Sequence, residues 1–148
     1  MTTEDNRAWI RRYVLDEVWN KGNVALVPKL FAPDCIVHDP TIAGISGPDG
    51  VIRFVTMCRA AFLDLELTIE DQIAEGNKVA TRFTLRGTQT GRFLDIAPTG
   101  KQVTVTGMNI AHVLHGRIVE SWLLRDDLGL LQQLGAVPQM EGVRTPQG

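Results

Sequence analysis

Residues 101–126, KQVTVTGMNIAHVLHGRIVESWLLRD, determine the fold class because they form two strands with almost nothing between them. The segments KQVTVTGMNIAHVL and RIVESWLLRD are rich in β-branched residues, and only His115 and Gly116 separate them. Such spacing is typical of a β-hairpin, whose strands are antiparallel.

Two further strands precede this hairpin. LDLELTIED at 63–71 alternates apolar and polar residues, and KVATRFTLRGTQTG at 78–91 follows it after the turn EGN at 75–77. The segment RFLDIAPTG at 92–100 contains proline and glycine and is predicted to be a loop. Four adjacent strands without intervening helices predict an antiparallel sheet.

Three helices are predicted in the N-terminal half. Residues 4–19 carry apolar side chains at helical spacing, residues 23–31 form a shorter helix, and 48–62 begin with a proline suited to a first turn. A short strand, CIVHDP at 35–40, lies between the second and third helices. We therefore predict one α+β domain over 1–148, with three helices packed on the concave face of a curved antiparallel sheet.

Composition excludes several classes of protein. The chain is 44% hydrophobic with a net charge of -2, so it has enough apolar residues for a core and no electrostatic reason to bind nucleic acid. No apolar run is long enough to span a membrane, and the polar N-terminus does not resemble a signal peptide, so a cytoplasmic protein is expected. Cys35 and Cys58 lack CxxC spacing, which favours buried reduced thiols over a disulfide or a zinc site.

The loop of the last hairpin decides which side chains share a face. With a two-residue turn, His112 and Asp126 lie on opposite faces of the sheet. With a three-residue loop, Leu114 to Gly116, His112 pairs with Ile118, and Gly116 in the third position favours this option. One face then carries Met108, Ile110, His112, Ile118, Glu120, Trp122, Leu124 and Asp126.

That mixture of acids, a histidine and apolar groups suits a pocket wall better than a packed core, because buried charge is costly unless paired. The opposite face contains Val119 and Leu123 and is predicted to be the outer surface, with an apolar patch suited to a dimer. Arg82 is expected to be a solvated arginine on the outside of its strand.

The runs WNKGNVALVPKLFAPDCIVHDP, GTQTGRF and APTGKQVTVTGMNIAHVLHGRIVESWLLRDDLGLLQQLG resemble the SnoaL-like polyketide cyclases of the nuclear-transport-factor-2-like superfamily. The resemblance implies a cone-shaped α+β barrel with a central pocket, and homodimers or higher homo-oligomers formed through the outer sheet faces. It implies an intramolecular aldol ring closure on a small apolar carbonyl compound without metal or cofactor. The single acid–base aspartate falls on Asp126, and His112 falls where a basic pocket residue is frequent. Gln89 replaces the histidine of the frequent GTHTG.

The remaining candidates have competing interpretations. Asp127 is expected to cap or begin the following helix. His38 is a candidate for the pocket mouth or for a loop histidine bonded to backbone. Trp122 is expected in the pocket wall, and Trp19 and Phe31 are candidates for its apolar lining or for plain core. His112 and His115 are three residues apart outside a helix, which does not predict a metal site.

Several functions fit this pattern. An aldol-type cyclase is the leading hypothesis, and isomerisation, cofactor-independent hydroxylation or epoxide opening are alternatives. Epoxide opening requires a second acid and an arginine that converge on one water, and the sequence does not identify such a set. A non-catalytic small-molecule binder and a dimerisation module are alternatives from other classes.

Overall fold

The computed structural model describes residues 2–139 and Gly142, and within them five strands form one sheet in the order β1-β5-β4-β3-β2. The strands are β1 Phe31–His38, β2 Glu66–Glu75, β3 Lys78–Thr88, β4 Gln102–Leu114 and β5 Arg117–Arg125. The last four strands pair antiparallel in sequence order, whereas β1 pairs parallel with β5. The α+β class is confirmed, but the sheet is mixed and open rather than a closed antiparallel barrel.

The three predicted helices are present near their predicted positions but are more varied in type. The first begins as α1 Thr3–Trp9, capped by Thr2, and continues as a π-helix over Ile10–Asn20. The second is a 3₁₀ turn, Val24–Leu26, followed by α2 Val27–Leu30. Helix α3 covers Gly47–Ala61, and α4 covers Asp127–Gln133. The predicted short helix ended at residue 31, but Phe31 already belongs to β1. No helix in the described part of the chain is long and apolar enough to cross a membrane.

The helices of the N-terminal half pack on one face of the sheet. Ile10 and Val18 of the first helix and Val55 of α3 are fully buried in one cluster with Val79 of β3 and Ala111 of β4. A second cluster, which joins α4 to the loop after β3, contains Ala61, Phe62, Phe93, Val103, Val105, Leu130 and Leu134. Burying each large apolar side chain contributes roughly 1.5–3 kcal/mol, so these clusters hold the helices against the sheet.

The β4–β5 hairpin differs from the prediction in its loop. His115 and Gly116 both have positive φ, 51° and 73°, and form a two-residue turn between the paired residues Leu114 and Arg117. This is the backbone of a two-residue turn that follows the twist of its strands. The three-residue loop is therefore wrong.

A β-bulge nevertheless keeps His112 and Trp122 on one face. Val113 pairs with Ile118, but His112 pairs with Glu120, so Val119 is the extra residue. The pairing His112–Ile118 was wrong, and Ile118 is buried on the inner face, in the wall of the cavity described below. The other strand residues predicted to share a face do so: Met108, Ile110, His112, Glu120, Trp122 and Leu124.

The orientation of that shared face is opposite to the prediction. Met108 and Leu124, 60% and 62% exposed, lie on the outer side of the sheet with Ile110 and Trp122. The other face, predicted to be outside, meets the helices. Val119 and Leu123 accordingly pack against the main core cluster and do not form the outer patch. Arg82 is exposed and pairs with Met108, as expected for an outer arginine.

Candidate functional site

A cavity of about 110 Å³ lies between the inner face of the sheet and the helices. Most of its wall is aliphatic or aromatic, and it includes residues of both core clusters. Its wall includes the aromatic side chains of Trp19, Phe31 and Phe54, the thiol of Cys58, and the polar side chains of Thr81, Asn109, Ser121 and Arg125. A mostly apolar cavity with few polar groups is the usual form of a small-molecule site.

The buried charged group of this wall is Arg125, at the end of β5, whereas Arg86 of the same wall is exposed to solvent. Its side chain is 8% exposed and lies 5.6 Å from the centre of the Phe54 ring. Nη1 donates to Oδ2 of Asp39 at 2.7 Å, and Nη2 donates to Oδ1 of Asp39 at 3.3 Å. Asp39 is 1% exposed on its side chain and also accepts the backbone N–H groups of Thr41 and Ile42, at 2.9 and 3.0 Å. The ion pair is therefore bidentate and removed from water.

A second carboxylate holds the other edge of the guanidinium. Nε of Arg125 donates to Oδ1 of Asp127 at 3.2 Å, and Nη2 lies 3.5 Å from its Oδ2. The hydroxyl of Thr41 donates to the same carboxylate, which is 22% exposed on its side chain. Burial by itself lowers the pKa of Arg125, but Asp39 and Asp127 outweigh it and the net pKa is raised. The arginine stays charged and is held in one orientation.

This network leaves one N–H of Arg125 Nη1 without an acceptor among the described residues. Arg125 belongs to the cavity wall, and this N–H is the guanidinium donor that its two carboxylate partners leave unused. The arrangement provides a fixed positive donor in an apolar cavity, which stabilises negative charge that develops on a ligand oxygen.

Neutral polar groups form a row across the inner face of the sheet. Gln72 Nε2 donates to Thr81 Oγ1 at 3.2 Å, and Asn109 Nδ2 donates to Ser121 Oγ at 2.5 Å. Thr81 and Asn109 are cross-strand partners. Asn109 pairs with Leu123, two residues from Arg125, so the row ends close to the guanidinium. A ligand oxygen therefore has neutral hydrogen-bonding groups beside the charged one.

Cys58 also lies in the wall. Burial raises its pKa to about 12, despite the positive charge of Arg125 nearby. Because the thiolate is the nucleophilic form, this thiol is inert near neutral pH.

Asp126 lies outside the cavity. It is exposed and is the N-cap residue of α4, where Oδ1 accepts the backbone N–H of Gly129 at 2.9 Å. A side chain at Gly129 would place its Cβ 2.2 Å from Oδ2 of Asp126. Asp127 begins α4, as predicted, and its carboxylate also joins the buried network around Arg125. Asp126, the predicted proton-transfer group, is the residue that caps the helix.

The other predicted pocket residues divide into two groups. Trp19 and Phe31 lie in the cavity wall. His112, Met108 and Trp122 belong to the outer face, so the prediction that they face the pocket is wrong. The error lies in which face of β4 and β5 was assigned to the pocket, because both faces carry apolar residues and the sequence pattern does not distinguish them.

His38 is also on the outer side of the sheet and not at the mouth of the cavity. Its Nε2 lies 2.6 Å from Oε2 of Glu120, and its ring stacks on Trp122 at 5.4 Å. His38 and Trp122 border a separate open surface groove of about 570 Å³ beside residues 39–46.

Gln89 has a structural place in this protein. It is fully buried; its Nε2 donates to the carbonyl of Ile96 at 3.2 Å, and its Oε1 accepts the Thr99 N–H and hydroxyl at 3.1 and 2.7 Å. It therefore holds the loop between β3 and β4, which carries the cavity residue Phe93.

Sequence reasoning missed Arg125, Asp39, Asn109 and Ser121. The available signal was an arginine and a serine on the same face of a mostly apolar strand, but the inverted face assignment placed both outside. Asp39 gave no signal, because its partner is 86 positions away. Within residues 2–139 and Gly142, no cluster of three or more His, Cys, Asp or Glu side chains is arranged to hold a metal ion.

One family model and several solved structures match this chain. The family model of the SnoaL-like polyketide cyclases matches residues 10–134. AclR, a candidate hydroxylase from Streptomyces galilaeus, is 25% identical, with a TM-score of 0.82 over 95% of this chain and 87% of that one. TsrD from Streptomyces laurentii is 26% identical, with a TM-score of 0.82 over 93% and 100% of the two chains. IdmH from Streptomyces antibioticus, a candidate polyketide cyclase, is 31% identical, with a TM-score of 0.74 over 91% and 99%. No curated protein matches the sequence significantly.

Proposed function

The chain belongs to the SnoaL-like polyketide cyclase family, and from this premise we propose that its cavity promotes enolate formation and aldol-type ring closure on an apolar carbonyl compound. One observation carries the proposal. Arg125, fixed by two carboxylates, brings a positive hydrogen-bond donor to an otherwise mostly apolar cavity.

Arg125 is the group that would bind the reacting carbonyl oxygen. As the α-proton leaves, negative charge moves to that oxygen, and a pre-oriented cation in a water-poor cavity stabilises it. Loss of one such donor typically costs about 10²–10³ in rate. The enolate carbon then attacks a second carbonyl carbon, which forms the ring bond and leaves an alkoxide that needs a proton.

Asp127 is the carboxylate that we assign to proton transfer. Asp39 already accepts two backbone N–H groups and two bonds from Arg125, whereas Asp127 is partly exposed and bonded only to side chains. Asp127 would take the α-proton and return it to the alkoxide, so the reaction needs no other proton donor. Positioned proton transfer contributes roughly 10²–10⁴-fold.

The sequence-based assignment of acid–base catalysis to Asp126, with His112 beside it, stays a prediction. Its exposed N-cap position and the outward direction of His112 do not support it. The two neighbouring acids make a direct comparison possible, since each replacement by Asn keeps the shape of the side chain.

The test measures the first half of the reaction with a simple ketone. Acetophenone is incubated with the protein in D₂O, and loss of its methyl proton signal is followed by NMR. Wild type should accelerate exchange over buffer, and Asp127→Asn should lose about 10²-fold of that acceleration, while Asp126→Asn keeps it. If Asp126→Asn abolishes exchange and Asp127→Asn does not, the assignment of proton transfer to Asp126 is right and the assignment to Asp127 is wrong. Binding of the ketone without any exchange would indicate a non-catalytic binder.

A second candidate is the opening of an epoxide by water. Epoxide opening requires a second acid and an arginine in one place, and Asp39, Arg125 and Asp127 form such a set. In this reaction a carboxylate would take a proton from water, the oxygen of which attacks one epoxide carbon, and the released alkoxide would regain a proton. Styrene oxide in H₂¹⁸O tests this, because turnover would yield phenylethanediol with one labelled oxygen. No diol above the buffer rate would reject this candidate.

We also propose that the outer sheet face joins two copies of the chain. Met108 pairs with Leu124, and Ile110 pairs with Trp122; these four side chains are 60%, 62%, 44% and 39% exposed. An exposed apolar patch on a sheet face is typical of a homodimer interface, in which the same patch of both copies meets across a twofold axis. Light scattering at micromolar concentration should give a dimer for wild type and a monomer for Leu124→Lys. Leu63→Lys is the matched control, since Leu63 is 72% exposed but lies in the turn before β2. A monomeric wild type would contradict the proposal.

A further inference from the structure

The first helix changes its type where it reaches the cavity. Thr3–Trp9 is α-helical, but Ile10–Asn20 is a π-helix, in which each N–H bonds to the carbonyl five residues earlier. At its end such a bond joins the N–H of Lys21 to the carbonyl oxygen of Asp16 at 2.9 Å. π-Helices occur mostly as single turns inside α-helices, so a segment of 11 residues needs support from its surroundings.

The π register decides which side chains of this helix face the cavity. Ile10 and Trp19 both line it, as do Val14 and Leu15 between them. Nine positions separate Ile10 from Trp19, which is about two and a half turns of an α-helix and would place them on opposite sides. In the wider turns of a π-helix the same nine positions make about two turns, so both side chains lie on one side.

The sequence also supports an α register. Ile10, Val14 and Val18 recur every four residues and are all buried, so they would keep an apolar side against the sheet in an α-helix. The α-helical turns before Ile10 are already formed, and extending a helix is easier than starting one. In that register Trp19 would turn away from the cavity. The contacts that hold the π register therefore have to act at its C-terminal end.

Asn20 and Arg59 make such contacts, and we call them the clamp. Asn20 Nδ2 donates to the carbonyl of Leu67 in β2 at 3.0 Å, and its Oδ1 accepts the Leu67 N–H at 2.6 Å. Nη1 of Arg59, in α3, donates to the carbonyls of Trp19 and Asn20 at 2.6 and 2.9 Å. The Trp19 ring lies edge-on to Phe54 of α3, with 5.3 Å between the ring centres. The end of the helix is thus fixed to both the sheet and α3.

The α register does not fit between the same fixed ends. The rise per residue falls as helical turns widen, from about 2.0 Å in a 3₁₀-helix to about 1.5 Å in an α-helix, and a π-helix continues this trend. Return of Ile10–Asn20 to the α register would therefore lengthen the segment. Its C-terminal end would move out of the clamp.

From these contacts we propose that Asn20 and Arg59 are positioning residues, whose clamp holds the helix in the π register and thereby keeps Trp19 in the cavity wall. Release of the clamp returns the helix to the α register, turns the indole away from Phe54 and enlarges the cavity of about 110 Å³. An apolar cavity of about 150 Å³ holds one benzene molecule, so the position of one indole ring decides whether a two-ring molecule fits. The clamp shapes the cavity whichever reaction takes place there.

Asn20→Ala removes both bonds to Leu67 and tests the clamp by NMR. Scalar couplings across hydrogen bonds identify the acceptor of the Lys21 N–H, which is Asp16 in the π register and Glu17 in the α register. We expect coupling to Asp16 in the wild type and to Glu17 in the variant. A merely structural role of Asn20 would lower stability without exchanging the acceptor. Coupling to Glu17 already in the wild type would overturn the proposal.

Two further measurements follow Trp19 itself. The nuclear Overhauser effect between its indole and the Phe54 ring should be present in the wild type and lost in Asn20→Ala. N-phenyl-1-naphthylamine, a neutral fluorescent probe, should bind the variant about 10-fold more tightly than the wild type, because the cavity is enlarged. The outer face is the same in both proteins, so the difference reports the cavity. A retained indole–Phe54 contact or equal affinity for the probe would contradict the withdrawal of Trp19.

Two variants complete the test. Glu17→Gln is the matched control, because it removes the ion pair with Lys21 at the same end of the helix and leaves the clamp intact. It should keep Asp16 as the acceptor and the wild-type affinity for the probe. Arg59→Gln removes the other half of the clamp and should shift the same signals, which keeps the test decisive if Asn20→Ala does not fold. Retention of Asp16 as the acceptor in either folded clamp variant, or an equal shift in Glu17→Gln, would reject the clamp.

Discussion

Replacement of Arg125 by methionine should destabilise the protein strongly, because it leaves a buried carboxylate without its counter-charge. Asp39 is 1% exposed and loses both guanidinium bonds, keeping only the two backbone N–H donors. Removing one partner of a buried ion pair costs about 3–5 kcal/mol. The two remaining donors place this case near the lower end, at about 3 kcal/mol, before any loss from the partly exposed Asp127.

The measurement is urea unfolding followed by circular dichroism at neutral pH, with the slope of the transition checked for equality between variants. A small domain has about 5–15 kcal/mol of stability, so the variant should still fold. Asp127→Asn is the comparison within the same network. Because Asp127 is 22% exposed, its loss should cost only about 1 kcal/mol.

A double variant separates the uncompensated charge from lost packing. Asp39→Asn combined with Arg125→Met removes both charges, so it should cost less than the sum of the two single changes. A cost below about 1 kcal/mol for Arg125→Met, or full additivity in the double variant, would refute the reasoning.

Three further outcomes are expected. Gly129→Ala should lower stability by about 1 kcal/mol in thermal unfolding, because its Cβ would meet the Asp126 carboxylate at 2.2 Å, although alanine has the better helix propensity. Asp126→Asn is the control and should be nearly neutral, because Asn caps a helix about as well as Asp. A stabilised Gly129→Ala would contradict the capping role of Asp126. Gln89→Leu removes the buried bonds to Ile96 and Thr99, so amide hydrogen exchange should rise in residues 90–100, and unchanged exchange there would show that the loop does not depend on Gln89. Cys58, whose pKa is raised to about 12, should react with iodoacetamide about 10³-fold more slowly than a free thiol at pH 8, read by peptide mass spectrometry. Labelling of Cys58 at the rate of a free thiol would contradict its burial. Because the folded state holds that thiol proton more tightly than the unfolded state, the associated stability is present below about pH 8.5 and is lost as pH rises towards 12.

The parts of the fold that depend on neighbours in the chain could be predicted from the sequence. Strands β2 to β5 follow one another without intervening helices, so their order and antiparallel pairing were predictable. The apolar spacing of the first helix and the start of α3 at a proline were also local signals. The α+β class follows from these elements alone, because local patterns determine periodicity and turns.

The orientation of the β4–β5 faces was decided by tertiary packing. Alternation along a strand defines two sets of side chains but not which set faces the core. Here the outer set contains Met108, Ile110 and Leu124, and the inner set contains Asn109, Ser121 and Arg125. Ranked by hydrophobicity, these residues suggest the reverse arrangement. The helices nevertheless cover the second set, whose polar members are bonded to one another or to Asp39 and Asp127.

The candidate site depends on contacts between distant parts of the chain. The parallel pairing of β1 with β5 brings Asp39 beside Arg125, 86 positions later in the chain. No sequence pattern within either segment predicts this contact. A single sequence therefore determined the elements, their class and the family resemblance. The cavity, its buried ion pairs and the distinction between Asp126 and Asp127 come from the folded arrangement, because desolvation and charge pairing depend on which segments meet in space.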